Sequence, residues 1–137
     1  MTRKAVLYTD GASSGNPGPA GIGYVLIFDG QRISHSAFIG ETTNNVAEYT
    51  ALLRGLETAI KKGVEEIEVF MDSELVVRQI NGQYRVKEPH LQRIYKKVID
   101  VLRNFKRYEI KHIPRTENKE ADRLSREAIK RGRRTHP

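Results

Sequence analysis

The stretch GYVLIFDGQRISHSAFI, residues 23–39, and the stretch NVAEYTALLRGLETAIKKG, residues 45–63, together decide the fold. In the first, residues 23–28 are an apolar, β-rich run. Asp29-Gly30 is a hairpin turn signal, and residues 32–39 return as a second strand. In the second the period changes. Val46, Tyr49, Leu53, Leu56 and Ile60 recur every three or four residues, which is the spacing of one helix face. Gly63, behind Lys61 and Lys62, is a C-terminal stop with cations in the last turn.

Outward from there, KAVLYTD (residues 4–10) alternates as a strand, with Val6, Tyr8 and Asp10 on one face. GASSGNPGPAG (residues 11–21) reads as a loop by composition. Residues 66–71 are a fourth strand. Ser73 can cap a short helix through Asn81, which Gly82 ends. Pro89 starts a helix to about Phe105, residues 108–113 are a fifth strand, and residues 118–130 are an amphipathic helix. Ala121, Leu124, Ser125 and Ala128 line one side of that last helix. The order is three strands, helix, strand, two helices, strand, helix. It predicts an α/β fold with a five-stranded mixed sheet flanked by helices. Strands 1–3 would be antiparallel, and strands 1, 4 and 5 parallel through right-handed crossovers. Residues 1–131 are expected to form one domain, and residues 132–137 a disordered basic tail.

The 137 residues suffice for one core and not for two. Lys plus Arg number 24 against 17 Asp plus Glu, a formal charge of +7. A basic surface attracts phosphate backbones, although a heavily charged solvated face has the same composition. The absence of cysteine excludes disulfides and thiolate metal sites. No apolar run approaches a membrane span and no signal-peptide pattern precedes the first strand. A cytoplasmic protein is expected, and nothing points to an obligate protein partner, so a monomer is expected.

Four carboxylates stand out: Asp10, Glu48, Asp72 and Asp122. Two end candidate strands and two lie in the first turns of candidate helices. In open α/β sheets ligands bind beyond the carboxyl ends of the strands. Carboxylates gathered at one point repel and push pKa values up, unless a hard cation with oxygen ligands sits between them. Each also has a plainer reading. Asp10-Gly11 can be a turn, Asp72 a strand-to-helix joint, and Asp122 a favourable charge near a helix N-terminus. Asn45-x-x-Glu48 can be a capping box, with Glu48 bonded back to the Asn45 backbone.

TDGA with NPGPAG, then TTNNVAEYTALLRGLE, MDSELVVRQI and IPRTENKEADRLS, in that order, resemble ribonuclease H of type 1 over roughly residues 4–130. The resemblance implies a ribonuclease H-like fold and a soluble endoribonuclease. It would cut the RNA strand of RNA–DNA hybrids, leaving 5′-phosphate and 3′-hydroxyl ends. It implies two Mg2+ ions, with Mn2+ as substitute, held by Asp10, Glu48, Asp72 and Asp122. Asp10 would bridge both, Glu48 would also touch the 2′-hydroxyl side of the substrate, and Asp122 would be the looser ligand. It further implies Asn16, Asn44 and Asn45 as minor-groove contacts. Gly11 and Ser13 would be close-approach backbone near RNA, and Thr43 would grip a DNA phosphate.

The chain departs from common relatives in three places. His112, ten residues before Asp122, lies inside the alternating strand YEIKHI. The loop is instead IPRTEN, as in the archaeal-like branch, where an arginine serves, so Arg115 is the expected catalytic assistant. Glu74 stands where a glutamine often contacts the hybrid. The stretch between Gln83 and Pro89 is too short for a basic protrusion. Hybrid affinity must therefore come from elsewhere, with Lys87, Arg93, Lys96, Lys97 and the tail as candidates. Archaeal-like members also make a side activity on double-stranded RNA or RNA–DNA junctions an expectation to test.

Overall fold

The computed structural model describes residues 2–135. Three strands open the chain: β1 (Lys4–Ser13), β2 (Gly18–Phe28) and β3 (Gln31–Thr42). They are followed by α1 (Asn44–Lys61), β4 (Glu66–Met71), α2 (Glu74–Ile80), α3 (Pro89–Leu102) and β5 (Arg107–His112). A single 3-10 turn (Arg115–Glu117) leads into α4 (Lys119–Thr135). The sheet order is β3-β2-β1-β4-β5. β1 runs antiparallel to β2 and parallel to β4, and β4 runs parallel to β5, as the sequence pattern predicts. No helix among the described residues is long and apolar enough to cross a membrane.

The first three strands are longer than composition suggests, and only residues 14–17 remain as the connecting loop. Asp10 therefore lies inside β1, opposite Gly23 of β2, and not at its end. Gly21, read as the end of a loop, and Gly23, read as the start of a strand, both serve close packing. A Cβ on Gly23 would stand 2.5 Å from the Ala121 carbonyl oxygen, and one on Gly21 would stand 2.4 Å from that of Ser125. α4 rests its backbone on β2 at these two points.

Alternation along β1 assigns the two faces. Leu7 and Gly11 face α1, and Asp10 faces α4. The main core, including Leu7, Leu26, Tyr49, Leu52, Leu56, Val69, Val98 and Leu102, fills the α1–α3 side. α4 covers β1 to β3 on the other side with Ala121, Leu124, Ala128 and Ile129. It continues through Thr135, so residues 132–135 are helical and not a disordered tail. The reason is local: Gly132 lies against the Phe38 ring, where a Cβ would come within 2.1 Å of it. Residues 136–137 of the expected tail lie outside the described residues.

Candidate active site

Three elements bring Asp10, Glu48 and Asp72 together. Asp10 comes from inside β1. Asp72 follows β4, one step past the Thr9–Met71 pair of the parallel register. Glu48 comes from the second turn of α1. These carboxylates each offer an oxygen, and the three oxygens lie within 4.8 Å of one another. Asp10 is 5% exposed and Glu48 4%.

Glu48 does not close a capping box. The N-cap of α1 is Thr43, whose hydroxyl accepts from the Val46 N–H at 3.3 Å. Glu48 Oε1 instead accepts from the Gly11 N–H at 2.6 Å. Gly11 makes this approach possible, because a Cβ there would stand 2.2 Å from the Ala47 carbonyl carbon. Ser73 does cap α2, accepting from the Val76 N–H.

Two residues not expected from the sequence hold the other carboxylates. Ser125 Oγ lies 2.7 Å from Asp10 Oδ2 and 2.9 Å from the Asp122 carbonyl oxygen. A hydroxyl has one hydrogen. When Asp10 is ionised the Ser125 hydroxyl donates to it. When Asp10 is protonated, Ser125 can accept that proton's hydrogen bond and turn its own hydrogen to Asp122. Asn118, 1% exposed, donates through Nδ2 to Asp72 Oδ2 at 3.0 Å and to the Thr9 carbonyl at 2.9 Å. The available signal for Ser125 was a lone hydroxyl among Ala121, Leu124 and Ala128. For Asn118 it was a residue four before Asp122, whose carbonyl accepts the Asp122 N–H.

Asp122 lies beside the triad and outside it. Its Oδ2 is bonded by Arg126, and its Oδ1 stands 3.5 Å from Arg115 Nη2. That Oδ1 is buried and receives no hydrogen bond. Arg115 itself is exposed. His112 is an exposed residue of β5, and Glu74 pairs with Arg78 on α2.

The expected substrate contacts form a small network. Asn44 Oδ1 accepts from the Ser13 N–H at 3.3 Å, and Asn16 Oδ1 accepts from the Asn44 N–H at 3.0 Å. The backbone N–H groups of Gly11 and Ser13 are thus used internally. Among the described residues, the side-chain NH2 groups of Asn16 and Asn44 make no hydrogen bond, and Asn45 lies beside them.

Electrostatics show what this arrangement needs. Burial lifts the Asp10 carboxyl from 3.8 to about 7, and the charges of Asp72 and Asp122 add to the rise against the Ser125 bond. Glu48 is also driven well above the ordinary carboxylate range, first by burial and then by the Asp10 charge, against the Gly11 bond. An all-oxygen donor set, a buried unbonded Asp122 oxygen and carboxyls that resist ionisation fit a hard divalent cation.

The model of the family described as reverse transcriptase-like matches residues 8–128. The chain is 42% identical to the bifunctional protein Rv2228c of Mycobacterium tuberculosis, over 92% of this chain and 35% of that protein. The N-terminal RNase H domain of Rv2228c, solved as a maltose-binding-protein fusion, superposes with a TM-score of 0.95. The match has 39% identity and covers 99% of this chain and 100% of that one. This chain belongs to the ribonuclease H family. A ribonuclease HI from Halobacterium salinarum is 43% identical over 89% of this chain and 62% of its own length. LC11-RNase H1, isolated from compost and solved in complex with an RNA/DNA hybrid, matches with a TM-score of 0.87 and 47% identity. That match covers 93% of this chain and 98% of that one. The chain spans about a third of the length of Rv2228c.

Proposed function

We infer that this chain is an endoribonuclease that hydrolyses the RNA strand of RNA–DNA hybrids, leaving 5′-phosphate and 3′-hydroxyl ends. It is proposed to need two Mg2+ ions, replaceable by Mn2+, and to act as a single domain and a cytoplasmic monomer. The observation that carries this reading is the buried triad of Asp10, Glu48 and Asp72, whose oxygens converge within 4.8 Å. The hybrid-bound relative supports the choice of substrate.

Asp10, Glu48 and Asp72 would hold the cations, with Asp122 beside them. Bound divalent cations supply a nucleophilic water at neutral pH and neutralise charge on the leaving 3′ oxygen. The chain's own residues set the geometry. The Gly11 N–H fixes Glu48, Ser125 fixes the Asp10 rotamer, and Asn118 ties Asp72 to the β1 backbone. Arg115 would donate to phosphate oxygens. Its guanidinium stays charged at neutral pH, so it acts by electrostatics and not as a base. The free amides of Asn16 and Asn44, with Asn45, would read the minor groove. A hybrid is known there by shape and 2′-hydroxyls more than by base sequence. The Thr43 hydroxyl accepts from Val46 and so keeps its own hydrogen to give to a DNA phosphate.

End-labelled hybrid, duplex RNA, an RNA–DNA junction and duplex DNA should be compared with Mg2+, Mn2+, Ca2+ and excess chelator. Cutting of the RNA in the hybrid with Mg2+ or Mn2+ alone is expected. Calcium should bind without supporting turnover, because its longer, looser coordination holds a reacting geometry poorly. Robust cutting in chelator, or equal cutting of duplex DNA, would refute the reading.

A further inference from the structure

α4 begins at the candidate site and leaves it along a cationic row. At ~100° per residue, Arg133, Arg126, Lys119, Lys130 and Arg134 fall within about 100° of arc, starting beside Asp122. All five are exposed. No acidic residue of α4 shares the interior of that arc. Glu127 lies outside it and pairs with Arg123, and Glu120 lies outside it and pairs with Arg32. Among the described residues, Lys119, Lys130 and Arg134 have no ion-pair partner. The row is tied at two points to regions already described. Arg126 bonds Asp122, and Arg133 bonds Ser14 in the loop that carries Asn16. From Asp122 to Arg133 the axis advances about 16 Å at ~1.5 Å per residue.

Holding like charges in one row on one face is unfavourable unless a polyanion lies along it. We propose that this face of α4 is a phosphate-backbone track, which binds the hybrid beyond the cleaved bond. It does so in a chain too short between Gln83 and Pro89 for a basic protrusion. The track rests on the reading of the site as a hybrid nuclease. Its reach corresponds to about five base-pair steps at ~3.4 Å each, so a hybrid engages its far end only when it extends more than about five base pairs past the cleaved bond on that side.

The test uses the full chain with the double substitution K130E/R134E, both positions remote from the carboxylates. Steady-state cleavage is measured on a 24-base-pair hybrid and on an 8-base-pair hybrid of shared sequence, the latter with its ribonucleotides placed so that the cut falls about four base pairs from either end. Hybrid binding is measured across a salt series in an Asp10→Asn background. The expected result is a rise in KM of roughly tenfold on the long hybrid, with kcat within twofold and the short hybrid unaffected. The slope of log K against log salt should fall by about 2, near 0.9 per lost phosphate contact. An unchanged salt slope, or equal losses on both lengths, would overturn the track. If the double variant melts early, K130Q/R134Q replaces it, with about half the KM effect expected. If the unsubstituted chain cuts neither hybrid, the nuclease reading fails while the binding arm still decides the track. A lost slope then supports it and an unchanged slope rejects it.

Discussion

The Asp10→Asn variant should be more stable than the parent without metal, and the difference should depend on pH. In the folded chain the Asp10 carboxyl has a pKa of about 7 against an ordinary 3.8. The folded state therefore holds this proton more tightly than the unfolded chain does. That contribution is fully present below about pH 3.8 and is lost as pH rises through about 7. A shift of about 3 units at ~1.36 kcal/mol each sets an upper bound of about 4 kcal/mol. Coupling to Glu48 spreads part of it over the pair, so about 2–4 kcal/mol is expected at pH 8.5. Asparagine cannot ionise and its Oδ1 can still accept from Ser125. For a chain of this size about 1 kcal/mol moves Tm by roughly 3–4 °C, giving a gain of roughly 6–15 °C. The assay is thermal unfolding of both proteins in chelator, from pH 3.5 to 8.5. The gap should open between about pH 4 and 7, while acid effects of other carboxylates cancel in the difference. Saturating Mg2+ should raise the parent by about 2.7 kcal/mol at a hundred times Kd, and the variant by far less. A variant less stable than the parent at pH 8.5, or a gap that does not change with pH, would refute the electrostatic account.

Arg115→Ala should lower kcat by roughly ten- to a thousandfold, as removal of one stabilising donor does, with Tm and metal affinity nearly unchanged. His112→Ala should cut at near-normal rate; a crippled His112→Ala with a silent Arg115→Ala would reverse the assignment. Asn118→Ala should weaken metal binding by roughly 10–100-fold, the usual effect of losing a partner that orients a ligand, read by calorimetry. Asn118→Asp should be worse, because it sets a carboxylate against Asp72. Gly23→Ala should lower Tm and activity together, since the new methyl meets the Ala121 carbonyl at 2.5 Å; normal melting and turnover would show that α4 can lift without consequence.

The strand–helix order was legible because two periods alternate cleanly and Asp29-Gly30, Gly63, Gly82 and Pro89 punctuate them. Asp10, Glu48 and Asp72 were legible as a group from the motifs in order, although Asp10 lies inside a strand and Asp122 outside the triad. The strand ends around residues 11–21 were not, because glycine in a sequence looks the same whether it turns the chain or admits a neighbouring helix. Gly11, Gly21 and Gly23 do the second. The capping-box alternative for Glu48 fails for a related reason. Asn45 and Glu48 have capping spacing, but Glu48 is drawn to Gly11 by a strand far away in sequence, and Thr43 takes the cap. Ser125 and Asn118 left only a faint trace in the sequence, because their partners lie across the sheet. The end of α4 was read as frayed because a run of arginines gives no sign of the Phe38 ring that packs on Gly132.

The bonds that fix the carboxylates join opposite ends of the chain, Ser125 to Asp10 and Asn118 to Thr9, over 115 and 109 residues. A ribosome delivers the sheet and the main helices before it delivers α4. Until α4 has cleared the exit tunnel and docked, Asp10 and Asp72 lack the bonds from Ser125 and Asn118 that fix their rotamers. Cutting therefore cannot begin before α4 has been made and docked. A nascent chain that touches a hybrid before that point would leave its RNA whole.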